Sequence, residues 1–236
     1  MYKRAVILAG GLGTRLSPYT IILPKPLMPV GEYPILEVVV RQLAYHKFKR
    51  ITIAVNHQVD LIRAFFGNGS KWNVQIDYSV EDRSLGTMGP LKLISDLPDN
   101  FLVMNGDILT DLDYGKFFDE HVEEGSLFTI ASSAREEVSE FGVLEVSKNG
   151  FLAGFKEKPV KQYQVSMGIY MVNKKVMKYL PEDKSYGFDK LMNDLLKSKE
   201  KVRVKSYSGY WLDIGRPDDY ARAIAEFDKL KVKLLK

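Results

Sequence analysis

The chain has no cysteine among its 236 residues, which excludes disulfides, thiolate zinc sites and cysteine nucleophiles. Histidine is scarce as well. His46, His57 and His121 are scattered, so a transition-metal cluster is not expected and any required metal should be a hard, oxygen-held ion. No apolar run reaches the roughly 18 residues that a membrane span needs. Met1-Tyr2-Lys3-Arg4 leads into only a short apolar stretch before Gly10 and Gly11, too short for a signal peptide. A cytoplasmic protein without membrane contact is the expectation. Charge is nearly balanced: 34 basic against 30 acidic residues leave +4, part of it in the lysine-rich tail from Lys229 to Lys236. Lysines suit the C-terminal end of a helix. No basic stripe interleaved with aromatics points to nucleic acid.

What is present reads as an α/β protein. Residues 3–8 form a buried-strand pattern, and 35–48 carry Ile35, Val38, Val39 and Leu43 at helical spacing. Further strands are predicted at 51–55, 74–80 and 101–104, with helices at 59–66 (stopped by Gly67) and 89–94. This alternation implies βαβ units on a mostly parallel sheet. After about residue 125 strands dominate, at 127–132, 142–147, 151–155 and 164–172, with Lys148-Asn149-Gly150 as a hairpin turn. Helices are predicted at 174–179 and 187–198, a strand at 202–207 and a short strand or loop at 210–214. A final helix spans 217–231, where Pro217, Asp218 and Asp219 suit the first turn. No repeat or low-complexity linker interrupts the chain. Residues 1–236 therefore read as one domain, with a first half to about residue 125, an inserted substrate half over about 126–215 and the final helix.

The first strand runs into Gly10-Gly11-Leu12-Gly13-Thr14-Arg15, and Lys25 follows between Pro24 and Pro26. Glycines let backbone amides approach phosphate. Arg15 adds a planar fork of donors and Lys25 a mobile point charge. A P-loop would end in Gly-Lys-Ser/Thr, which Gly13-Thr14-Arg15 does not supply. A dinucleotide fold wants a third glycine where Leu16 stands, and an acid after the second strand, where the chain reads Ala54-Val55-Asn56-His57. Both are poor matches.

The stretch from Gly10 to Leu16, followed by Pro24-Lys25-Pro26, resembles the sugar-1-phosphate nucleotidyltransferases. Leu85-Gly86-Thr87-Met88-Gly89-Pro90 is similar to their base-side loop and Asn105-Gly106-Asp107 to their metal aspartate motif. Glu157-Lys158-Pro159 resembles their sugar-phosphate motif, and Gly209-Tyr210-Trp211-Leu212-Asp213-Ile214-Gly215 their second metal-site segment. Five motifs in order extend the resemblance over nearly the whole chain. It implies a Rossmann-like three-layer αβα fold with a mixed, mostly parallel central sheet. It also implies a Mg²⁺-dependent reaction of an NTP with a sugar 1-phosphate, giving NDP-sugar and pyrophosphate. The loop at 85–90 is most similar to mannose-1-phosphate guanylyltransferases and related heptose-1-phosphate enzymes. GTP with mannose 1-phosphate or a related hexose or heptose 1-phosphate is thus expected, while glucose-1-phosphate thymidylyl-, uridylyl- and cytidylyltransferases stay open. Rivals of other kinds are a non-catalytic nucleotide-sugar-binding regulatory domain and a choline- or aminoethyl-phosphate cytidylyltransferase. Many members carry a C-terminal left-handed β-helix, which this sequence is expected to lack; a homodimer stays open.

The resemblance places the nucleotide at Leu8, Ala9, Gly10, Gly11, Gly13, Thr14, Arg15, Lys25, Gly86 and Thr87, with Gly10 and Gly86 toward the base. It places the sugar phosphate at Gly142 (after Phe141), Glu157, Lys158 and Gly168, and Mg²⁺ at Asp107 and Asp213. Arg15, Lys25, Asp107, Lys158 and Asp213 form the expected catalytic set. Asp111 and Asp113 are nearby rivals to Asp107, read as loop or helix-capping residues. The attacking phosphate is already anionic near neutral pH, so scarce histidine does not count against catalysis. The difficulty is the mutual repulsion of two polyanions.

Overall fold

The computed structural model describes residues 3–56 and 58–235; Met1, Tyr2, His57 and Lys236 lie outside the described residues. Strands β1 (Lys3–Leu8), β2 (Pro29–Val30), β3 (Tyr33–Pro34), β4 (Phe48–Val55), β5 (Gln75–Val80), β6 (Asn100–Asn105) and β7 (Ile108–Thr110) alternate with helices α1 (Ile35–Tyr45), α2 (Val59–Phe66) and α3 (Tyr114–Glu123). There follow β8 (Phe128–Val138), β9 (Val143–Val146), β10 (Leu152–Lys156), β11 (Val160–Asn173), α4 (Phe188–Lys197), β12 (Val202–Tyr207), β13 (Trp211–Asp213) and α5 (Pro217–Leu234). A seven-stranded sheet has the order β12-β8-β11-β6-β1-β4-β5. β6, β1, β4 and β5 are mutually parallel. β11 runs antiparallel to both its neighbours, and β12 is parallel to β8. The sheet is thus mixed and mostly parallel, and it takes strands from both halves of the sequence.

The central strands are apolar without alternation because both sheet faces are covered. Ala5 and Ile7 meet Leu36, Val39 and Val40 of α1 on one face. Val6 turns to the other face, among Leu91 and, from α4, Leu191 and Leu195. A third cluster packs Ala223 and Phe227 of α5 on Leu16, Met28, Val30, Leu212 and Ile214. That cluster holds the chain on either side of Lys25 and directly after Asp213. Gly31 is required there: its φ is 59°, and a Cβ would sit 2.6 Å from Phe227 Cδ1.

Several boundaries differ from expectation. α1 stops at Tyr45 rather than 48, because Lys47 takes a φ of 68° and turns the chain so that Phe48 can open β4 and be buried. Residues 89–93 and 174–179 form 3₁₀ turns rather than α-helix. α5 continues three residues past 231, anchored by the buried Leu234. β7 is new. β8 and β11 overrun their predicted ends, pairing from Ala134↔Gln164 to Val138↔Val160 as an arm that carries the β9–β10 hairpin. The arm was illegible because Arg135-Glu136-Glu137 has no buried face and so no alternation. No helix among the described residues is long and apolar enough to cross a membrane.

His121 of α3 is buried against β8, its Nδ1 2.8 Å from Thr129 Oγ1 and its Nε2 without a partner among the described residues. Burial pushes its pKa down to about 4, with Glu124 pulling weakly the other way. The folded protein therefore resists a proton that the unfolded chain takes up below about pH 6.5. Stability should fall as pH drops from there toward 4, by up to roughly 3 kcal/mol from this group. Urea unfolding of wild type and His121→Gln at pH 7 and 4.5 tests this: the variant should lose distinctly less stability over the interval, and equal losses would refute the assignment.

Candidate active site

The four parallel strands end on one edge of the sheet, and the residues that follow them line a common cleft of about 610 Å³. Ala9 follows β1, Asn56 lies just past β4, Glu81 follows β5, and Gly106 and Asp107 follow β6. Backbone bonds lock these exits together: Ala9 N–H donates to Ala54 C=O at 2.8 Å, Gly106 N–H to Leu8 C=O at 2.9 Å, and Glu81 N–H to Val55 C=O at 2.8 Å. Ligands of open α/β sheets bind beyond such carboxyl ends.

All ten residues expected at the nucleotide line this cleft: Leu8, Ala9, Gly10, Gly11, Gly13, Thr14, Arg15, Lys25, Gly86 and Thr87. Gly13 has φ 63°, and a Cβ there would meet Thr20 Cγ2 at 2.9 Å. Thr20 Oγ1 donates to Gly13 C=O at 2.8 Å and fixes the loop from below. Arg15 sits in a 3₁₀ turn anchored by the buried Leu16, its guanidinium close to Gly215. Lys25 opens a second 3₁₀ turn, where the buried Pro26 and Leu27 hold its backbone. Its side chain is 10% exposed, and its ammonium pairs with Asp107 Oδ2.

The acid pair is placed by the short β7–β13 ladder. Asp213 lies opposite Ile108, and Ile214 N–H donates to Asp107 C=O at 3.0 Å. Desolvation first and the charge of Asp107 second push the Asp213 carboxyl above the usual carboxylate range, while Lys25 and Arg15 pull it back. Asp213 thus feels the charge of three other expected catalytic groups. Asp111 is not a rival ligand: it accepts from Tyr207 Oη and, at 2.7 Å, from Tyr210 N–H, so it staples β13 beside β7. Asp113 caps α3, accepting from Lys116 N–H at 2.8 Å. Trp211 is a strut, its indole N–H donating to Met167 C=O at 3.1 Å.

The residues expected at the sugar phosphate divide. Gly168, with φ 72°, sits in a bulge of β11 where a Cβ would come within 2.7 Å of Asn105 Nδ2, and Asn105 lines the cleft. Gly142 and Glu157 lie together on the exposed arm, a Cβ at Gly142 falling 3.0 Å from Glu157 Oε2. Lys158 follows with φ 41°. Neither these three nor Gly168 and Asp213 are among the residues that line the cleft. Sequence reasoning missed Asn56, Asn105 and Glu81. Each stands at or just past the end of a parallel strand, a position that could have flagged them. Burial pushes the Glu81 carboxyl up, and a hydrogen bond from Leu85 N–H holds it back.

Comparison with known proteins shows the family. The chain is 34% identical over 242 residues to a UTP–glucose-1-phosphate uridylyltransferase of Synechocystis, covering 94% of this chain and 62% of the relative. It is also 34% identical over 226 residues to a mannose-1-phosphate guanyltransferase of Yarrowia lipolytica, covering 92% and 62%. The chain thus spans about three-fifths of the length of these relatives. HddC from Yersinia pseudotuberculosis, solved in complex with GMP-PN, superposes with a TM-score of 0.73 at 28% identity, over 96% of this chain and 100% of that one. The Nucleotidyl transferase family matches residues 4–229, from the first strand into the last helix and across every site segment described above. The chain belongs to that family.

Proposed function

We propose that the protein transfers a nucleotidyl group from an NTP to a sugar 1-phosphate, releasing pyrophosphate. The observation that carries this reading is the cleft beyond four parallel strands, where a glycine loop, Arg15, Lys25 and Asp107 meet and Asp213 on β13 feels the charge of the last three. The names of the Synechocystis and Yarrowia relatives support the same class of reaction.

An oxygen of the sugar 1-phosphate attacks the α-phosphorus. The bond from that phosphorus to the bridging oxygen breaks, and pyrophosphate leaves with the electron pair in one in-line step. The loop amides and Arg15 would hold the phosphates of the nucleotide, and Lys25 would offset the charge gathering on the departing pyrophosphate. Lys158 and Glu157 on the arm would receive the sugar 1-phosphate, with Gly142 leaving room beside them. The cleft also suits Mg²⁺. Asp107 Oδ1 is buried and has no hydrogen-bond partner among the described residues, and Asp213 is the second carboxylate near it. Two hard oxygen donors of this kind match that ion. Among the described residues no group of three or more acids or histidines offers an alternative cluster. Asp107 and Asp213 would hold Mg²⁺, which would supply charge neutralisation at the phosphates.

A matrix of four NTPs against mannose, heptose and glucose 1-phosphates, read by pyrophosphate release, tests the reading. At least one pair should turn over with release that requires both substrates. Release from no pair, with the nucleotide still bound, would favour a regulatory binding domain.

A further inference from the structure

The β9–β10 hairpin has two unlike faces. Leu144 pairs with Phe155 and Val146 with Leu152, and paired residues of antiparallel strands point the same way. Along these pairs one face is wholly apolar. The other carries Glu145 and Lys156, joined by a 2.7 Å ion pair, with the Glu145 carboxylate lying over Gly154. That ion pair suits water, yet the apolar side is just as open: Leu144 is 59%, Val146 63%, Leu152 66% and Phe155 57% exposed. No residue of the hairpin joins the three core clusters. A two-stranded ribbon is marginal in water unless something covers its apolar face.

Size and charge point to what covers it. The four side chains leave on the order of 500 Å² of apolar surface, as large as the biggest patch a typical monomer shows. A standard interface takes about 800 Å² from each partner. The face supplies most of that, and Phe141 and Phe151, both exposed, stand at the two ends of the hairpin. Between residues 134 and 164 the arm carries five acidic and five basic residues. A second copy therefore meets no net repulsion, and an anionic membrane surface meets no net attraction. A two-fold interface needs one self-complementary patch, which an apolar face flanked by both signs of charge provides.

We propose that two copies of this chain pack arm to arm through this face, Leu144, Val146, Leu152 and Phe155 of one on the same residues of the other. The contact also reaches the residues assigned to the sugar phosphate. A Cβ on Gly142 would lie 2.6 Å from Phe155 Cε2 and 3.0 Å from Glu157 Oε2, so covering Phe155 steadies the wall beside Gly142 and Glu157. This coupling, unlike the interface, rests on the nucleotidyl-transfer reading. The test is light scattering on wild type, Val146→Glu and Leu152→Glu over micromolar to near-millimolar concentrations. Both positions lie at the turn end of the hairpin, away from Glu157 and Lys158, and thermal melts check folding. Wild type should show twice the 26.9 kDa of one chain. Each variant should show the mass of a single chain, because a carboxylate replaces an apolar contact in both copies. A wild type that stays monomeric throughout overturns the proposal. So does a dimer that survives both substitutions, since its interface would lie elsewhere. Pyrophosphate release is then followed against sugar 1-phosphate. The variants should raise its KM by roughly tenfold, the cost of ordering the hairpin afresh at each binding event, while calorimetric affinity for the nucleotide stays at the wild-type value. Monomeric variants with an unchanged sugar 1-phosphate KM overturn the coupling. A dimer that releases no pyrophosphate from any substrate pair would instead sink the transfer reading and leave the interface standing.

Discussion

Asp107→Asn is expected to lower turnover by about 10²–10³-fold, equivalent to roughly 3–4 kcal/mol of lost charge stabilisation. Asparagine matches the size of the aspartate, and the Ile214 N–H bond goes to the backbone carbonyl of residue 107, which the substitution keeps. The fold should therefore survive, and a thermal melt would establish that. What disappears is one of two carboxylates, including an oxygen that is buried and has no partner among the described residues. Mn²⁺ binding, followed by electron paramagnetic resonance without any substrate, should weaken in step with turnover. A variant with near-normal Mg²⁺-dependent pyrophosphate release would remove Asp107 from the site. The Asp213 carboxyl offers an independent check. The charge of Asp107 helps to raise its pKa, so neutralising residue 107 should let it titrate lower.

Lys25→Met should move two observables in opposite directions. In the free protein the Lys25 ammonium pairs with Asp107 Oδ2 and occupies the place where a cation would be most welcome. Removing that charge should tighten Mn²⁺ binding without nucleotide by about tenfold, the effect of a repulsion of order 1.4 kcal/mol. Turnover should nevertheless fall by roughly 10²-fold, because the departing pyrophosphate loses a counter-charge. A nucleotide that draws Lys25 onto its phosphates would free the acid pair at the moment it is needed. If metal affinity and turnover both fell in Lys25→Met, the lysine would be supporting the carboxylates rather than competing for them.

Much of this site was legible because its parts announce local backbone needs. Gly13 and Gly86 take positive φ, and a Pro-framed lysine has few places to go. Asp113 reads as a cap because capping is a contact within four residues. Glu81 was not legible, since its place in the cleft wall depends on β5 joining one sheet with β6, a fact of sheet order. Nor was the role of Asp111, whose partners Tyr207 and Tyr210 lie almost a hundred residues away. The arm escaped for the opposite reason. Pattern reading detects strands by their buried face, and residues 134–138 of β8 and 160–164 of β11 have none. Its glycine and charges were recognised as motifs while the extended ribbon that carries them was not.

The β7–β13 ladder also has a consequence for synthesis. It joins residues 108–110 to residues 211–213, so a chain emerging from the ribosome displays the glycine loop and Asp107 well before Asp213 exists. The innermost strands β1, β4 and β6 can assemble in that interval, as early domain segments commonly do. Products that end before β13 would then retain the glycine loop but have no acid pair, and should be silent rather than slow.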